Sequence, residues 1–373
     1  MRIQLKPGLQ ILSRGPATVQ IGLDDRHGTL LDGLAQADVE VVRALVDGID
    51  QALVTGPLPQ GRAAETAVRA RRIVQALAGS GTLVNSRSGR AALSQVGELR
   101  PRLTADAAAW SLAHRTGDGW ELLAARRRRT VSIRGSGRTG ALLAAALTAA
   151  GVGRIDVDDT SPTVATDCVP GGAVPADIGL PRDLVAHRAA DRALSRPPRD
   201  TSPSGAGPSP PDLVVLLDRS AANAARADQL VGADVVHLSI LVRETSVVVG
   251  PLVLPGRSPC LRCLDLHRSE RDPQWPLVLA QLLAAQQQRH APSEETTLAL
   301  SAAALAALQV LGYLDGVAVP AAVSTTLEID LPDGLITHRP WSVHDRCGCH
   351  SLPDRPVEGQ EGQDDDLARR MPS

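Results

Sequence analysis

The sequence predicts an α/β protein in which a small α+β module precedes a larger domain, built on a mostly parallel sheet with helices on both faces. Strand-like runs followed by helix-spaced apolar residues fill the first 86 residues. From Thr130 onward, strand-like and helix-like segments alternate along the chain. A chain of 373 residues is also long enough for two or three domains of ordinary size.

The first module is predicted over residues 1–86. Its apolar runs at 9–12, 19–23 and 29–31 are separated by Gly, Asp and His, which is typical of a small antiparallel sheet. Apolar residues at helical spacing over 37–46 and 64–78, each run ending near a glycine, predict two helices.

Residues 87–129 are predicted to form a connecting helical segment, with one helix over 105–112. A run of four arginines at 126–129 ends this segment. We expect the run to be the solvated end of an element rather than a nucleic-acid patch.

The larger domain is predicted over 130–352. Candidate strands lie at 130–134, 154–157, 212–217, 235–242 and 246–253, and candidate helices at 277–290 and 296–314. The Pro-, Ser- and Gly-rich stretch 192–211 predicts a disordered insertion, since it cannot bury enough apolar surface to order itself. The polar stretch 353–373 predicts a disordered acidic tail.

Composition argues against several classes of partner. Aromatic residues make up 1% of the chain, which excludes stacking platforms for single-stranded nucleic acid. The net charge of -2 provides no field toward nucleic acid or an anionic membrane. The first ten residues lack the pattern of a secretory signal, and the most apolar stretches are short and interrupted. The sequence therefore predicts a cytoplasmic protein without nucleic-acid or membrane partners.

Residues 135–140 read G-S-G-R-T-G, a G-x-G-x-x-G pattern between a predicted strand and an Ala- and Leu-rich helix. Gly135, Gly137 and Gly140 would let the backbone turn tightly and approach a phosphate at the helix N-terminus. Asp158 and Asp159 stand at the end of the next strand, where an acidic group would hold ribose hydroxyls. The pattern indicates a Rossmann-like nucleotide site, although it is equally compatible with a tight turn in a domain that binds no nucleotide.

Asp218 follows the predicted strand 212–217, at the edge where such sheets bind ligands. In a nucleotide enzyme it would hold Mg²⁺ or pair with a phosphate-binding group. The alternative is an N-cap of the following helix. The sequence leaves both roles open.

Four of the five cysteines form two close pairs, C-x-x-C and C-x-C: Cys260, Cys263, Cys347 and Cys349. Two thiolate pairs on tight turns predict a closed, structural zinc site. The rival, a redox C-x-x-C, explains only one pair. Because the spacing of the second pair is short, His344 or His350 is an alternative metal ligand in place of one cysteine sulfur. Cys168 stands apart and is expected to be an apolar filler, or else a reactive thiol.

Residues 131–159, with the glycine pattern and the following strand, resemble the ThiF/MoeB adenylyltransferase family, relatives of ubiquitin-activating enzymes. Further on, G-P-L-V at 250–253, C-L-R-C-L-D-L-H-R at 260–268, R-D-P-Q-W at 271–275 and H-D-R-C-G-C at 344–349 resemble the ThiF-like partner proteins of azol(in)e-forming cyclodehydratases. The resemblance covers about 130–350. It implies a ThiF-type fold and a homodimer.

The opening L-K-P-G at 5–8 and the strand-then-helix order are similar to the PqqD-like winged helix. This resemblance implies that module 1–86 binds the leader of a ribosomally made precursor peptide, commonly by strand addition to a sheet edge. It also implies a partner, a YcaO-type cyclodehydratase that uses ATP to cyclise Cys, Ser or Thr side chains. The ThiF-like chain then presents the substrate.

The sequence departs from active members of the resembled family. Their Asn-Leu-x-Arg-Gln run is replaced by T-S-P-T-V at 160–164, and Arg182 corresponds to their lysine. Asp218 falls close to the place of their metal-binding aspartate, but one residue short of the usual strand spacing. Because adenylyl transfer needs positioned cations, the expected ATP and Mg²⁺ site is degenerate. The alternative is an active adenylyltransferase acting on a protein or peptide C-terminus; a nicotinamide or flavin oxidoreductase rests on the glycine pattern alone.

Overall fold

The computed structural model describes residues 2–23, 28–85, 88–114, 117–200, 210–287 and 294–350. The chain divides into two compact units, Met1–Arg127 (unit 1) and Arg128–Ser373 (unit 2). The predicted tail 353–373 and residues 201–209 of the predicted insertion lie outside the described residues. The predicted connecting segment 87–129 falls almost entirely within unit 1.

Unit 1 combines short antiparallel strands with helices. Its described elements are β1 (Arg2–Leu5), β2 (Ile11–Gly15), β3 (Thr18–Ile21), β4 (Thr29–Leu31), α1 (Gln36–Asp47), β5 (Ile49–Asp50), α2 (Gln51–Thr55), α3 (Arg62–Leu77), β6 (Leu83–Asn85), α4 (Ser88–Val96), α5 (Arg100–Ala113) and α6 (Gly119–Arg126). The strands form two antiparallel sheets, β2-β3-β4 and β5-β1-β6. The helices predicted over 37–46 and 64–78 are confirmed as α1 and α3.

A buried carboxylate joins helices α1 and α3 of unit 1. Asp38 accepts a hydrogen bond from the backbone N–H of Ala35 at 2.9 Å, which caps α1. From α3, Arg69 Nη1 lies 3.1 Å from Asp38 Oδ1, and Arg72 donates to Oδ2. Asp38 is fully buried, so these partners stand in for the water that it has lost.

The helices after 87 are tied to β1 by the single lysine of the chain. Lys6 Nζ donates to the carbonyls of Ser111 and His114 at 2.6 and 2.7 Å, at the end of α5. Burial lowers the pKa of Lys6, although Asp118 acts in the opposite direction. These contacts explain why α5 belongs to unit 1 instead of linking two bodies.

The expectation of a solvated basic run at 126–129 is wrong for its first residue. Arg126 is 1% exposed and its guanidinium carbon lies 4.6 Å from the ring centroid of Trp110. Stacking on an indole face stabilises a cation that has little water around it.

Unit 2 is built on one sheet. Its described elements are β7 (Thr130–Arg134), α7 (Gly137–Ala149), β8 (Arg154–Asp158), α8 (Arg182–Ala193), β9 (Leu213–Arg219), α9 (Ala224–Gly232), β10 (His237–Val242), β11 (Ser246–Val253), α10 (Leu261–Arg271), α11 (Trp275–Gln287), α12 (Thr296–Asp315), β12 (Thr325–Asp330) and β13 (Ile336–Pro340). The strand order is β13-β12-β11-β10-β9-β7-β8. Strands β8, β7, β9 and β10 are parallel, and β11 to β13 continue the sheet antiparallel.

The strand order creates a topological switch point between β7 and β9. From this central pair, the connection through α7 runs outward to β8, and the one through α9 runs outward to β10 on the other side. Since such crossovers are right-handed, α7 and α9 lie on opposite faces of the sheet. The predicted α/β architecture is thus confirmed, and the crevice between the ends of β7 and β9 is where such sheets bind ligands.

Helix α12 belongs to the core of unit 2. By length and composition it is the one helix among the described residues that is able to cross a membrane. However, 56% of its most apolar stretch of 18 residues is buried inside the protein. It packs on α7 and β11. A helix that is apolar on most of its faces and largely buried is typical of a helix in the core of a domain.

The first residues of the predicted insertion are held in place. Helix α8 continues to Ala193, and Arg199 Nε and Nη2 each donate to the Asp191 carboxylate at 2.7 Å. Arg188 also donates to the backbone oxygen of Arg199 at 2.8 Å. Composition alone missed this bidentate ion pair, which anchors 194–200 against α8.

Candidate functional site

A cavity of about 790 Å³ lies at the switch point, at the carboxyl ends of β7, β8 and β9. Of the six residues predicted to hold a nucleotide, five line it: Gly135, Gly137, Asp159, Arg182 and Asp218. The sixth, Gly140, lies one turn into α7 and is not part of the described lining. The structure thus gathers residues that are far apart in the sequence around one space.

The glycine turn passes directly over the neighbouring strand. Gly135 has φ +92°, and a Cβ there would lie 2.5 Å from the backbone oxygen of Leu217 on β9. Gly137 has φ +69°, and a Cβ there would lie 2.6 Å from Oε1 of Glu294. Both positions therefore need glycine for conformation and for space.

We expect Gly135→Ala to destabilise unit 2 by about 2–4 kcal/mol, from a left-handed backbone plus a clash with β9. Gly179→Ala is the matched control, because Gly179 has the same φ of +92° with no atom within 4 Å of its Cβ position. That variant should lose only about 1–2 kcal/mol. Urea denaturation compares the two, and equal losses would show that the approach to Leu217 is unimportant.

Asp159 ties the glycine turn to the loop after β8. Its Oδ2 accepts from the N–H of Ser136 at 2.9 Å, and its Oδ1 from the N–H of Ser161 at 3.1 Å. Each carboxylate oxygen has a second lone pair, so the group can still accept a ribose hydroxyl. Its position is compatible with the predicted role.

Arg182 begins α8 and points its guanidinium at an internal carboxylate. Nε and Nη2 donate to the two oxygens of Asp167 at 2.9 and 3.0 Å. Asp167 is 4% exposed. The remaining nitrogen of the guanidinium, Nη1, lies 4.0 Å from Oδ2 of Asp159. Such a bidentate pair with a buried carboxylate is strong and fixes the arginine.

Asp218 lies inside β9, because the strand continues to Arg219, past the predicted end. Its Oδ2 accepts from the N–H of Asn223 at 3.1 Å, and Arg226 Nη1 is 3.7 Å from Oδ1. Burial raises the pKa of Asp218, since the charged form loses solvation. The N-cap of α9 is Asn223, so the N-cap interpretation of Asp218 is wrong and its oxygens remain suited to a hard cation.

Sequence reasoning missed several residues at this site. Glu294 precedes α12, and its Oε2 accepts from the N–H and the hydroxyl of Thr139 at 2.7 and 2.9 Å. Its Oε1 accepts from Arg219 Nη2 at 3.0 Å. Arg219 and Arg226 are detectable as cations just after the β9 aspartate, but nothing around Glu294 in the sequence points to α7.

The four paired cysteines converge on one buried point between α10 and the 3₁₀ turn Gly348–His350. The Sγ atoms lie 3.5 Å apart for Cys260 and Cys347, 3.5 Å for Cys263 and Cys349, and 3.9 Å for Cys260 and Cys263. In a tetrahedral site with metal–sulfur bonds of about 2.3 Å, sulfurs are about 3.8 Å apart. The donor set and spacing fit a four-thiolate metal centre. Such a centre uses both cysteine pairs, whereas the redox interpretation uses only one.

The alternative ligands are engaged elsewhere. His344 Nε2 lies 2.9 Å from Oε1 of Glu270, and His350 Nδ1 lies 2.6 Å from the backbone oxygen of Gly256. Cys168 is half-buried and outside the cluster. No histidine is needed to complete the four-sulfur set.

The protonation of the cluster also calls for a cation. A hydrogen bond from Cys260 lowers the pKa of Cys263, while burial raises the pKa of Cys349. Thiolates packed this closely repel one another, so they cannot all ionise unaided. A bound divalent metal removes this penalty and deprotonates all four.

No protein-family model and no curated protein matches the chain. Solved structures do match: Escherichia coli MccB with ATP has a TM-score of 0.64 at 16% identity, covering 94% of this chain and all of that one. The chain has the fold of MccB. A second MccB structure, the microcin C7 biosynthetic enzyme in complex with N-formylated MccA, gives a TM-score of 0.65 at 16% identity with the same coverage. PaaA gives 0.56 at 15%, covering 72% of this chain and 91% of that one. The likeness to MccB at these identities is one of fold.

Proposed function

We propose that this chain is a ThiF-like subunit that binds a ribosomally made precursor peptide and presents it to a partner YcaO-type cyclodehydratase for azoline formation. Its own nucleotide site is degenerate, and it acts in the cytoplasm. The observation that carries the proposal is the clamp of Arg182 on Asp167. The arginine at the place of the family's lysine is held by an internal carboxylate and does not serve a phosphate.

The charges around the cavity support a site that no longer transfers adenylyl groups. Three aspartates and three arginines are part of the described lining: Asp158, Asp159, Asp218, Arg182, Arg219 and Arg226. Two of the arginines pair with acids outside that lining, Asp167 and Glu294. Little positive charge is left to neutralise a triphosphate, which adenylyl transfer requires.

Peptide binding is assigned to unit 1. In its sheet β2-β3-β4, the strands β2 and β4 are the edges. Among the described residues, each of them pairs with β3 and with no further strand. An edge strand offers unpaired N–H and C=O groups to which an extended leader adds as a further strand. Solved MccB structures include complexes with MccA, and this binding of a partner by a protein of the same fold supports the proposal.

Zinc is the metal that we propose for the four cysteines. A closed tetrahedral thiolate set matches zinc, which has no redox chemistry and stabilises folds. Cys260, Cys263, Cys347 and Cys349 would hold it and would join α10 to the turn 348–350, which is more than 80 residues further along the chain. The metal would play a structural role.

The test is a pair of binding measurements on the full chain. In a panel of fluorescein-labelled leader segments from ribosomally made precursor peptides, at least one leader should bind with a Kd of micromolar order, unchanged by Mg²⁺ and ATP. The scrambled leader, as control, should not bind. Pyrophosphate exchange with ATP and the full precursor should stay at background. Leader binding absent, or lost when ATP is omitted, would contradict the proposal.

Active adenylylation is the second candidate. Two observations favour it: the cavity volume is within the range of small-molecule sites, and the buried Asp218 with nearby Arg226 retains the means to hold a metal and a phosphate. It predicts peptide-dependent pyrophosphate exchange that Asp218→Asn abolishes. Exchange that survives this substitution would contradict the role of Asp218 in holding the metal.

A further inference from the structure

The N-terminus of α7 already holds an anion, and that anion is part of the chain. The carboxylate of Glu294, whose side chain is 2% exposed, receives the N–H and the hydroxyl of Thr139 and the guanidinium of Arg219. The main chain of Glu294 is fixed as well, because Arg138 Nη1 donates to its carbonyl oxygen at 2.7 Å. Both ends of the residue are therefore bound to the start of α7 or the end of β9.

The carboxylate lies on the second glycine of the G-x-G turn. A Cβ on Gly137 would be 2.6 Å from Glu294 Oε1 and 2.7 Å from Arg219 Nη2. In nucleotide-binding domains with this glycine pattern, phosphate oxygens are received by the free N–H groups of this helix end. Glu294 lies directly behind the cavity-lining residues Gly137 and Arg219 and thus takes the helix end where the pattern predicts a phosphate.

We propose that Glu294 is a built-in competitor for the phosphate subsite of the cavity. It takes the donors that a phosphoryl group needs, and it repels a second anion at the same place. With Glu294 removed, Arg219 and the positive end of the α7 dipole lose their counter-charge. The site then accepts an inorganic phosphate or pyrophosphate group.

A second feature of the turn indicates spare binding capacity. Ser136 lines the cavity and is 3% exposed, and its hydroxyl has no hydrogen-bond partner among the described residues. Buried hydroxyls are nearly always paired, so an unpaired one beside an anion site is a donor available to a ligand. Glu294, with both oxygens on Thr139 and Arg219, leaves this donor unused.

This inference deepens the proposed function, on which it rests, because it names the group that keeps the nucleotide site from holding a phosphate. It is tested separately with inorganic pyrophosphate, which needs neither peptide nor turnover. Absence of leader-peptide binding by the wild type would contradict the proposed function alone. A Glu294 variant that gains no anion binding would contradict this inference alone.

The experiment measures pyrophosphate binding by calorimetry, and its effect on Tm, for the wild type and for Glu294→Ala. We expect at least tenfold tighter binding by the variant, together with a lower Tm that pyrophosphate restores. Glu295→Ala is the matched control: this adjacent carboxylate caps α12 through the N–H groups of Thr297 and Leu298 at 2.8 and 2.9 Å. It should lose stability without gaining pyrophosphate binding.

Two further variants make the result decisive. Glu294→Gln keeps the size of the side chain and removes its charge, so it should gain part of the affinity even if Glu294→Ala does not fold. Adding Arg219→Gln to either variant should abolish the gain. The inference is overturned if both Glu294 variants bind pyrophosphate like the wild type, or if Glu295→Ala gains as much affinity as they do.

Discussion

Replacing Cys263 by serine is expected to remove the bound metal and to lower the stability of unit 2 by several kcal/mol. Four thiolates share one point, and serine supplies no thiolate for zinc. The cluster also lies within an apolar core with Val214, Leu216 and Trp341, so its loss opens this side of the sheet. Metal content by elemental analysis should fall from about one zinc per chain, and thermal denaturation should show the loss of stability.

Cys168→Ser is the matched control for this prediction. Cys168 is the remaining cysteine and lies outside the four-sulfur cluster. The Cys168→Ser variant should retain the metal and most of the stability of unit 2. A Cys263→Ser protein that keeps its metal would contradict the four-thiolate site. A wild type that contains no metal and forms a reducible Cys260–Cys263 disulfide would support the redox interpretation instead.

Removing the Asp38 carboxylate is expected to destabilise unit 1 by about 2–4 kcal/mol, from a lost helix cap and lost charged hydrogen bonds. Burial alone would raise the pKa of Asp38, but the N–H of Ala35 and the guanidinium groups of Arg69 and Arg72 together hold it below its ordinary value. A carboxyl group with a lowered pKa stabilises the fold above its unfolded pKa of about 3.9, and this contribution is lost as the pH falls below that value.

The Asp38 prediction is tested by the urea-induced unfolding of Asp38→Ala at pH 7 and at pH 3. The difference between variant and wild type should be largest at pH 7 and should shrink in acid. Asp47→Ala is the control, since Asp47 is exposed at the carboxyl end of the same helix, where a negative charge is unfavourable. A pH-independent difference for Asp38→Ala would mean that packing, not charge, is responsible.

Local patterns in the sequence were sufficient for most of the secondary structure. The helices α1 and α3 and the first five strands of unit 2 follow from apolar spacing, because that spacing reflects which face is buried. The strands β1, β5, β6, β12 and β13 were not predicted. β13 is exposed at every residue and ends in Pro340, so it carries no alternation for a sequence pattern to detect.

The candidate site was predicted in its parts and not in its connections. The glycine turn and the acidic residues at strand ends are positioned by the parallel sheet itself, which brings the carboxyl ends of β7, β8 and β9 to one edge. The acidic partners of the arginines could not be predicted from the sequence. Arg182 on Asp167 and Arg219 on Glu294 are pairs between separate elements, and sequence distance gives no indication of them.

The sequence by itself determined the α/β class, the glycine turn and the two cysteine pairs, since each depends on backbone conformation or residue chemistry within a few positions. Only the tertiary structure decided that the four sulfurs meet at one point, that Lys6 holds the end of α5, and that Glu294 occupies the start of α7. Those three outcomes are contacts between elements that packing brings together. Whether a buried charge is free for a ligand or already satisfied depends on such contacts, and this chain satisfies the donors of its own glycine turn with a carboxylate.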